Sequence, residues 1–172
     1  ANFIKDMSFI FAIFEPKGVC RKRELLHTTI VRVLREKPKV KHAKNIVDDI
    51  KNGIIKPIYF LSGEEPYFID QITDYIEHNL LDEAEKGFNQ VVLYGRDVSI
   101  EDIVSNAKRY PMMAERQVVI VKEAQDLSRT IEKLADYVKN PQPTTVLVVA
   151  YKYKKLDKRK GLSKALKTHG VH

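Results

Sequence analysis

A glycine stands between an apolar run and an amphipathic stretch in FLSGEEPYFID, residues 60–70. In this arrangement a strand delivers a glycine loop to a helix N-terminus, where backbone amides and the helix dipole hold phosphate. A complete phosphate-binding loop reads G-x-x-x-x-G-K-[ST], because the lysine neutralises the β and γ phosphates and the hydroxyl holds magnesium. The residue types along the segment therefore decide whether it can bind a nucleotide.

The residues aligned to that loop lack its reactive groups. With Gly63 as the first glycine, Phe68 takes the place of the second glycine, Ile69 that of the lysine and Asp70 that of the hydroxyl. The carboxylate of Asp70 would repel phosphate, and we expect Phe68 and Ile69 to be core side chains of a first helical turn. The sequence predicts a degenerate Walker A loop, which keeps the architecture of a nucleotide site without its chemistry.

A second segment shows a matching loss. A nucleotide hydrolase carries an apolar strand that ends in Asp-Glu, where the first acid holds the metal and the second orients the attacking water. In VVIVKEAQDL, residues 118–127, Lys122 stands at the metal-holding position and only Glu123 remains. Taken alone, these two residues are interpreted as solvated charges at the end of a strand. Together with the altered loop they indicate a degenerate Walker B.

The rest of the sequence supplies no other catalytic constellation. It has no Ser/His/Asp, Cys/His or paired-carboxylate arrangement at a meaningful spacing. Cys20 is the single cysteine and the five histidines lack metal-ligand spacing, so we expect no metal, no cofactor and a cytoplasmic location. An active P-loop ATPase or helicase is the main alternative, and it would need a lysine at position 69 and an acid at position 122.

The net charge of +7 is unevenly distributed along the 172 residues. Residues 1–42 carry ten basic and four acidic side chains, residues 43–150 carry twelve and eighteen, and residues 151–172 carry eight and one. Because the middle is acidic, contact with a phosphate backbone is expected only at the two ends.

The apolar residues 7–14 are too short to cross a bilayer and basic residues follow them, so neither a membrane segment nor a signal peptide is predicted.

Strand and helix patterns alternate from about residue 43 onward. Apolar, β-branched runs predict buried strands at KPIYFLSG, RQVVIVKEA and TTVLVVA, and FNQVVLYG is strand-like in composition. Helical spacing and capping signals predict helices between them. These helices run from about residue 43 to Gly53, from Tyr67 to Leu80, from a capping box at Ser99 and Asp102 to before Pro111, and from Ser128 to Lys139. The fold class is α/β, with a parallel sheet flanked by helices on both faces.

Residues 1–42 do not fit this alternation and are predicted to be an extension ahead of a domain at residues 43–172. They contain a basic patch and a candidate helix from Glu24 to Arg35, which Pro38 would end. The extension is either an authentic arm or helix that docks on the domain, or sequence translated upstream of the natural start.

Three segments together resemble one known family. GEEPY, the junction of PMMAERQ with the following strand, and LDKRK occur in order and with matching spacing over about residues 43–170. This combination resembles the N-terminal domain of the delta subunit of the bacterial DNA polymerase III clamp loader. The resemblance implies an AAA+ (P-loop NTPase-like) domain that has lost nucleotide binding, and a chain that is a fragment of a longer subunit.

The same resemblance implies a function in DNA replication. The family's delta subunit binds the ring-shaped sliding clamp, the beta subunit, and opens one of its interfaces. ATP-driven clamp-loader subunits then place the ring on primed DNA, which the delta domain contacts only indirectly. Polymerase activity belongs to the holoenzyme, so no catalysis is expected from this chain's own residues.

The resemblance also implies a clamp-binding site at Met112 and Met113, preceded by Tyr110 and Pro111. In the family, two adjacent hydrophobic residues at the tip of a helix just before the Walker-B-like strand grip the clamp, more often as a leucine-phenylalanine type of pair. Methionine is flexible and polarizable and suits a hydrophobic pocket on a partner. The alternative is that both methionines fold back over the sheet as core fillers.

The basic segment KYKKLDKRKGLSK, residues 152–164, is a second candidate surface. It would contact phosphate or dock on an acidic neighbouring subunit, whereas the alternative is a solvated helix face. Tyr151 and Tyr153 could stack on bases, although such tyrosines are more often strand-end residues. A nucleic-acid-binding module that acts through both chain ends is therefore an alternative function, which strongly salt-dependent DNA binding would support. The candidate contacts are Lys154, Lys155, Lys158, Arg159 and Lys160.

Overall fold

The computed structural model describes residues 38–157 and 159–170, and in them four parallel strands form one sheet. The strands lie in the order β1-β4-β3-β2, and each neighbouring pair is parallel. Their bounds are β1 Ile58–Gly63, β2 Gln90–Tyr94, β3 Gln117–Lys122 and β4 Thr145–Lys152.

Helices precede or follow each strand. The α-helices are α1 Pro38–Lys51, α2 Pro66–Asn79, α3 Glu83–Asn89, α4 Ile100–Ala107, α5 Ala135–Lys139 and α6 Gly161–His169. Two short 3-10 helices, Ala124–Leu127 and Ile131–Leu134, connect β3 to α5.

The two faces of the sheet carry separate apolar cores, because side chains alternate between the faces along each strand. On β3, Val119 and Val121 pack with α4, α5, α6 and the 3-10 helices, whereas Val118 and Ile120 pack with α1 and α2. All four of these β3 side chains are completely buried. A parallel sheet covered by helices on both faces is the α/β fold that the sequence predicts, and it is confirmed.

The helix that leads toward the methionine pair begins as predicted. The Ser99 hydroxyl accepts a hydrogen bond from the Asp102 amide at 3.2 Å, and the Ser99 amide donates to the Asp102 carboxylate at 2.9 Å. This reciprocal capping box satisfies two of the amides that a helix N-terminus leaves free. Helix α4 then ends at Ala107, before Pro111, as expected.

The predicted start of strand β2 and the predicted helix from Ser128 to Lys139 are wrong. Phe88 and the buried Asn89 end helix α3 instead of opening strand β2, because Asp82 and Glu85 form a capping box that starts a helix at Glu83. Ser128 does not cap a helix that runs to Lys139. It follows the first 3-10 helix, and only residues 135–139 form an α-helix in this connection. Helix α6 is a further element that the sequence patterns did not predict.

The domain boundary predicted after residue 42 stays a prediction. Residues 40–172 form one compact unit. Helix α1 begins at Pro38. Proline is favourable at this position because the first amides of a helix have no partner within the helix. The candidate helix from Glu24 to Arg35 and the apolar residues 7–14 lie outside the described residues. Of the helices that the structure describes, none has the length and apolar character needed to cross a membrane.

Candidate functional site

The connection after β1 is too short to form a phosphate-binding loop. Gly63 ends the strand and α2 begins at Pro66, so only Glu64 and Glu65 lie between them. Phe68, Ile69 and Asp70, the positions aligned to the second half of a Walker A loop, are all helical. Ile69 is a core residue as predicted. Phe68 is not, because it is only half buried and packs edge-on against Tyr67.

Lys152 occupies the carboxyl edge of the sheet, where ligands bind in open α/β folds. Its ammonium group lies 2.7 Å from the Asp70 carboxylate on α2 and 2.9 Å from the Glu123 carboxylate after β3. Partial burial lowers the pKa of Lys152, but hydrogen bonds to both carboxylates outweigh it, and the pKa is raised. The lysine is therefore a permanent cation whose charge is already balanced within the chain.

Lys122 and Glu123 are not the solvated charges that their sequence position suggested. The Lys122 ammonium lies 2.7 Å from the Glu77 carboxylate on α2, and both side chains are mostly buried. Partial burial lowers the pKa of Lys122, and the pair with Glu77 more than compensates and raises it. Glu123 has its pKa lowered by the hydrogen bond from Lys152. The degenerate Walker B positions are thus members of ion pairs.

At the carboxyl edge, the described residues differ in charge from those of a nucleotide hydrolase. Lysine replaces the acid that would hold a metal, and Glu64 and Glu65 place negative charge at the start of α2. No group of three or more His, Cys, Asp or Glu in the described part of the chain could hold a metal ion. The residues aligned to the Walker hydroxyl and Walker B acids, Asp70, Lys122 and Glu123, all take part in ion pairs within the chain.

The loop between α4 and β3 exposes apolar side chains at the opposite, amino edge of the sheet. Met113 is fully exposed, Met112 is 61% exposed and Tyr110 is 77% exposed, whereas Pro111 is half buried. The alternative in which both methionines fill the core is therefore wrong. Exposed apolar side chains at adjacent positions are typical of an interaction surface.

Two buried amides fix this loop at its two ends. The Gln117 side chain donates to the Arg109 carbonyl at 2.5 Å. The Asn89 side chain donates to the Met112 carbonyl at 2.9 Å and accepts from the Met112 amide at 2.6 Å. Met113 follows in the left-handed region with φ of 56°. No sequence pattern predicts the role of these two amides, because their partners lie outside the elements that carry them.

Phe88 adds an exposed apolar side chain next to this loop. It is 71% exposed and directly precedes Asn89, whose side chain holds Met112. The sequence pattern placed Phe88 in a strand, so its exposed position at the end of a helix was not predicted. The capping box of Asp82 and Glu85 is the sequence signal that could have placed Phe88 in a helix.

The methionine loop and the ion-pair network lie at opposite edges of the sheet. The loop leads into the first residue of β3, and Lys122 is the last residue of the same strand. Six residues of strand separate the two edges by about 17 Å. The two candidate sites share no residue.

The described cations of the basic segment make contacts within the chain. Lys155 lies 2.7 Å from Glu64, Arg159 lies 3.2 Å from Asp157, and Lys160 lies 4.0 Å from Glu132. Lys154 donates to the Ser128 hydroxyl at 3.1 Å. Lys158 lies outside the described residues. Their contact with DNA or another subunit stays a prediction.

Only the last residues of the basic segment are helical, so the alternative of a solvated helix face does not describe the rest of it. Residues 153–157 lie between β4 and α6, and the helix begins only at Gly161. Tyr151 is buried in β4 against Phe60, with the ring centroids 5.7 Å apart, so it cannot stack on a base. Tyr153 is exposed, with φ of 59°.

Comparison with known proteins decides the family. A family model described as DNA polymerase III, delta subunit, matches residues 59–172, which include both edges of the sheet. The chain belongs to this delta-subunit family. The family that the sequence motifs resemble is thereby confirmed.

Two Bacillus subtilis relatives of the delta-subunit family are similar to this chain. The DNA polymerase III subunit delta of strain 168 is 33% identical in an alignment 129 positions long, which covers 70% of this chain and 37% of that protein. The solved structure of the DNA clamp loader delta protein has a TM-score of 0.66 at 30% identity and covers 75% of this chain. This chain spans 41% of the solved chain, so it corresponds to less than half of either relative.

Proposed function

We propose that this chain is the clamp-binding part of a delta subunit, which grips and opens the sliding clamp during DNA replication. The observation that carries the proposal is the loop of Tyr110, Pro111, Met112 and Met113. It presents two exposed methionines at an edge of the sheet while buried amides hold its backbone. A held apolar projection of this kind suits a hydrophobic pocket on a partner protein.

The proposal includes that the chain neither binds nor hydrolyses ATP. Support comes from the carboxyl edge, where Lys152 is paired with Asp70 and Glu123, and Lys122 with Glu77. A nucleotide would have to displace these pairs and bring its phosphates close to Glu64 and Glu65. ATP-driven steps then belong to the other clamp-loader subunits.

Binding opens the ring only through a difference in affinity. A partner favours the open clamp by as much free energy as it binds the open state better than the closed one. Two well-buried side chains at a hot spot contribute a few kcal/mol, on the order of 2 to 4. Met112 and Met113 therefore bias the ring toward opening only by the part of this free energy that is gained with the open clamp and not with the closed one.

The remaining partners follow from the same proposal. The chain acts in the cytoplasm, docks with other clamp-loader subunits and contacts primed DNA indirectly. The basic segment is the proposed contact with an acidic neighbouring subunit or with phosphate. Its internal ion pairs would have to exchange for those of the partner, so this contact is expected to weaken with salt.

Ring opening without nucleotide tests the proposal. The cognate clamp is labelled with a fluorophore pair across one interface and mixed with the chain in the absence of ATP. The wild-type chain should separate the labels, and the Met112→Ala, Met113→Ala double variant should leave them together. Tyr94→Ala removes an exposed aromatic side chain at the other edge of the sheet and serves as the control. Equal opening by the wild type and the double variant would refute the assigned site.

A further inference from the structure

Asn89 uses both its side-chain oxygen and its side-chain nitrogen to hydrogen-bond the backbone of one residue of the methionine loop, Met112. Its side-chain oxygen lies 2.6 Å from the Met112 amide nitrogen, and its side-chain nitrogen lies 2.9 Å from the Met112 carbonyl oxygen. Asn89 is only 3% exposed and is the last residue of helix α3. Its 23-residue sequence separation from Met112 makes the contact a tertiary one.

We propose that Asn89 is a positioning residue, which holds the Met112–Met113 loop in its clamp-binding conformation before the partner arrives. This inference deepens the proposed function and rests on it. Asn89 is buried, so it would not touch the partner itself. It would act through the backbone of Met112, which it fixes relative to the end of α3.

The conformation of Met113 shows why the loop needs such a contact. Its φ of 56° is in the left-handed region, which is unfavourable for a residue with a side chain and persists only where the surroundings impose it. Packing of its side chain cannot impose it, because Met113 is fully exposed. The backbone hydrogen bonds at the preceding residue are the nearest contacts that fix the loop.

The chemistry of asparagine matches this task. Its planar amide presents one acceptor and one donor side by side, and a backbone N–H and C=O of one residue complement that pair. Aspartate has nearly the same shape but, when ionised, offers only acceptors, so it would face the Met112 carbonyl with a second oxygen. Alanine offers neither group and leaves the partly buried amide and carbonyl of Met112 without their partners.

Pre-ordering affects binding kinetics in a recognisable way. If the loop without Asn89 spends only about a tenth of its time in the binding conformation, the apparent affinity falls about tenfold. That loss appears in the association rate, because fewer encounters are productive, while the bound complex keeps its contacts. Loss of the methionines themselves instead removes bound-state contacts and raises the dissociation rate.

The test compares variants of the chain for clamp binding and amide exchange. Association and dissociation rates with the immobilised clamp are measured for wild type, Asn89→Ala, Asn89→Asp and the Met112→Ala, Met113→Ala variant. We expect Asn89→Ala and Asn89→Asp to associate about tenfold more slowly with dissociation nearly unchanged, and the methionine variant to dissociate faster. Thr73→Val removes a buried hydrogen bond on α2 and controls for lost stability alone, so it should bind like wild type.

Hydrogen exchange of the Met112 amide gives a second readout that needs no clamp. In wild type it should exchange more slowly than the amide of exposed Met113, and Asn89→Ala should remove that protection. If Met112 exchanges as fast as Met113 in wild type, the positioning role is overturned even if the variants fail to fold.

The outcomes separate this inference from the proposed function. Wild-type rates for Asn89→Ala and Asn89→Asp, with binding still dependent on the methionines, would overturn the role of Asn89 and leave the clamp-binding site intact. Failure of the wild-type chain to bind the clamp would overturn both.

Discussion

Lys152 is the central residue of the ion-pair network at the carboxyl edge of the sheet. Its ammonium group lies between Asp70 and Glu123, which belong to separate elements, and its side chain is 13% exposed. The residue supplies its charge to two carboxylates that would otherwise repel each other. It therefore stabilises the fold where helix α2, the turn after β3 and the end of β4 meet.

Replacement of Lys152 by methionine is expected to lower the free energy of unfolding by about 1–2 kcal/mol. The stem of the side chain is kept, but two partly exposed carboxylates lose their partner. Lys139→Met removes an exposed ion pair with Asp136 and is the matched control, for which a change near zero is expected. Urea unfolding at pH 7 measures both. Equal changes in the two variants would contradict the structural role of Lys152.

The lowered pKa of Glu123 predicts how stability depends on pH. The carboxyl group is more acidic in the folded chain than in the unfolded chain, because Lys152 donates a hydrogen bond to it. Its contribution is therefore complete above the unfolded pKa of about 4.3 and is lost as the pH falls through the lower folded value. Urea unfolding between pH 6 and pH 2.5 should show a smaller loss in Lys152→Met than in wild type. Identical pH profiles would contradict the assignment.

Among the elements, the end of β2 approaches the turn after β3 so closely that only glycine fits. A Cβ atom at Gly95 would lie 2.3 Å from the Glu123 carbonyl oxygen, and the Gly95 amide donates to the Lys122 carbonyl at 2.8 Å. Glu123 itself has φ of 54°. The position of its carboxylate near Lys152 thus depends on the close packing of two strand ends.

Gly95→Ala is expected to destabilise the chain by about 2 kcal/mol, because backbone must move to admit the methyl group. Gly87→Ala is the control. Nothing lies within 4 Å of a Cβ built there, and alanine favours the helix by about 0.5–1 kcal/mol. Thermal unfolding of the two variants should shift in opposite directions. A tolerated Gly95→Ala would show that the two strand ends can separate without cost.

The sequence correctly predicted those strands and helices that are determined by residues close to one another along the chain. The β-branched run of β3 and the capping box of Ser99 and Asp102 identify a strand and a helix start because neighbouring residues decide them. Phe88 was misassigned since a strand-like composition outweighed the capping signal at Asp82 and Glu85. Ser128 is a residue type that often caps a helix, yet the chain forms short 3-10 helices on either side of it, and their apolar residues pack in the core.

Both candidate sites depend on contacts between residues that are far apart in the sequence, which no pattern of neighbouring residues can predict. The motif defects at Ile69 and Lys122 were visible in the sequence, since they are departures from known spacing. The pairing of Lys152 with Asp70 was not, because the parallel sheet brings residues from distant elements to one edge. The same holds for Asn89 and Met112.

For the whole molecule, the separation of the two edges predicts independence from nucleotide. The methionine loop and the ion-pair network lie about 17 Å apart along β3 and share no residue. We expect titration of the chain with ATP and magnesium to give no binding heat, and clamp affinity to be the same with and without ATP. A clamp affinity that changes with ATP would contradict the assignment of a non-functional nucleotide site.

The most direct test of the central claim is a calorimetric titration of the cognate sliding clamp into this chain. The wild type and Tyr94→Ala should bind with equal affinity, and the Met112→Ala, Met113→Ala variant should lose at least a hundredfold, the equivalent of about 2.7 kcal/mol. Such a result would establish the clamp as the partner and the methionine loop as its site. Binding that the double variant retains would contradict the account, and so would a wild-type chain that does not bind.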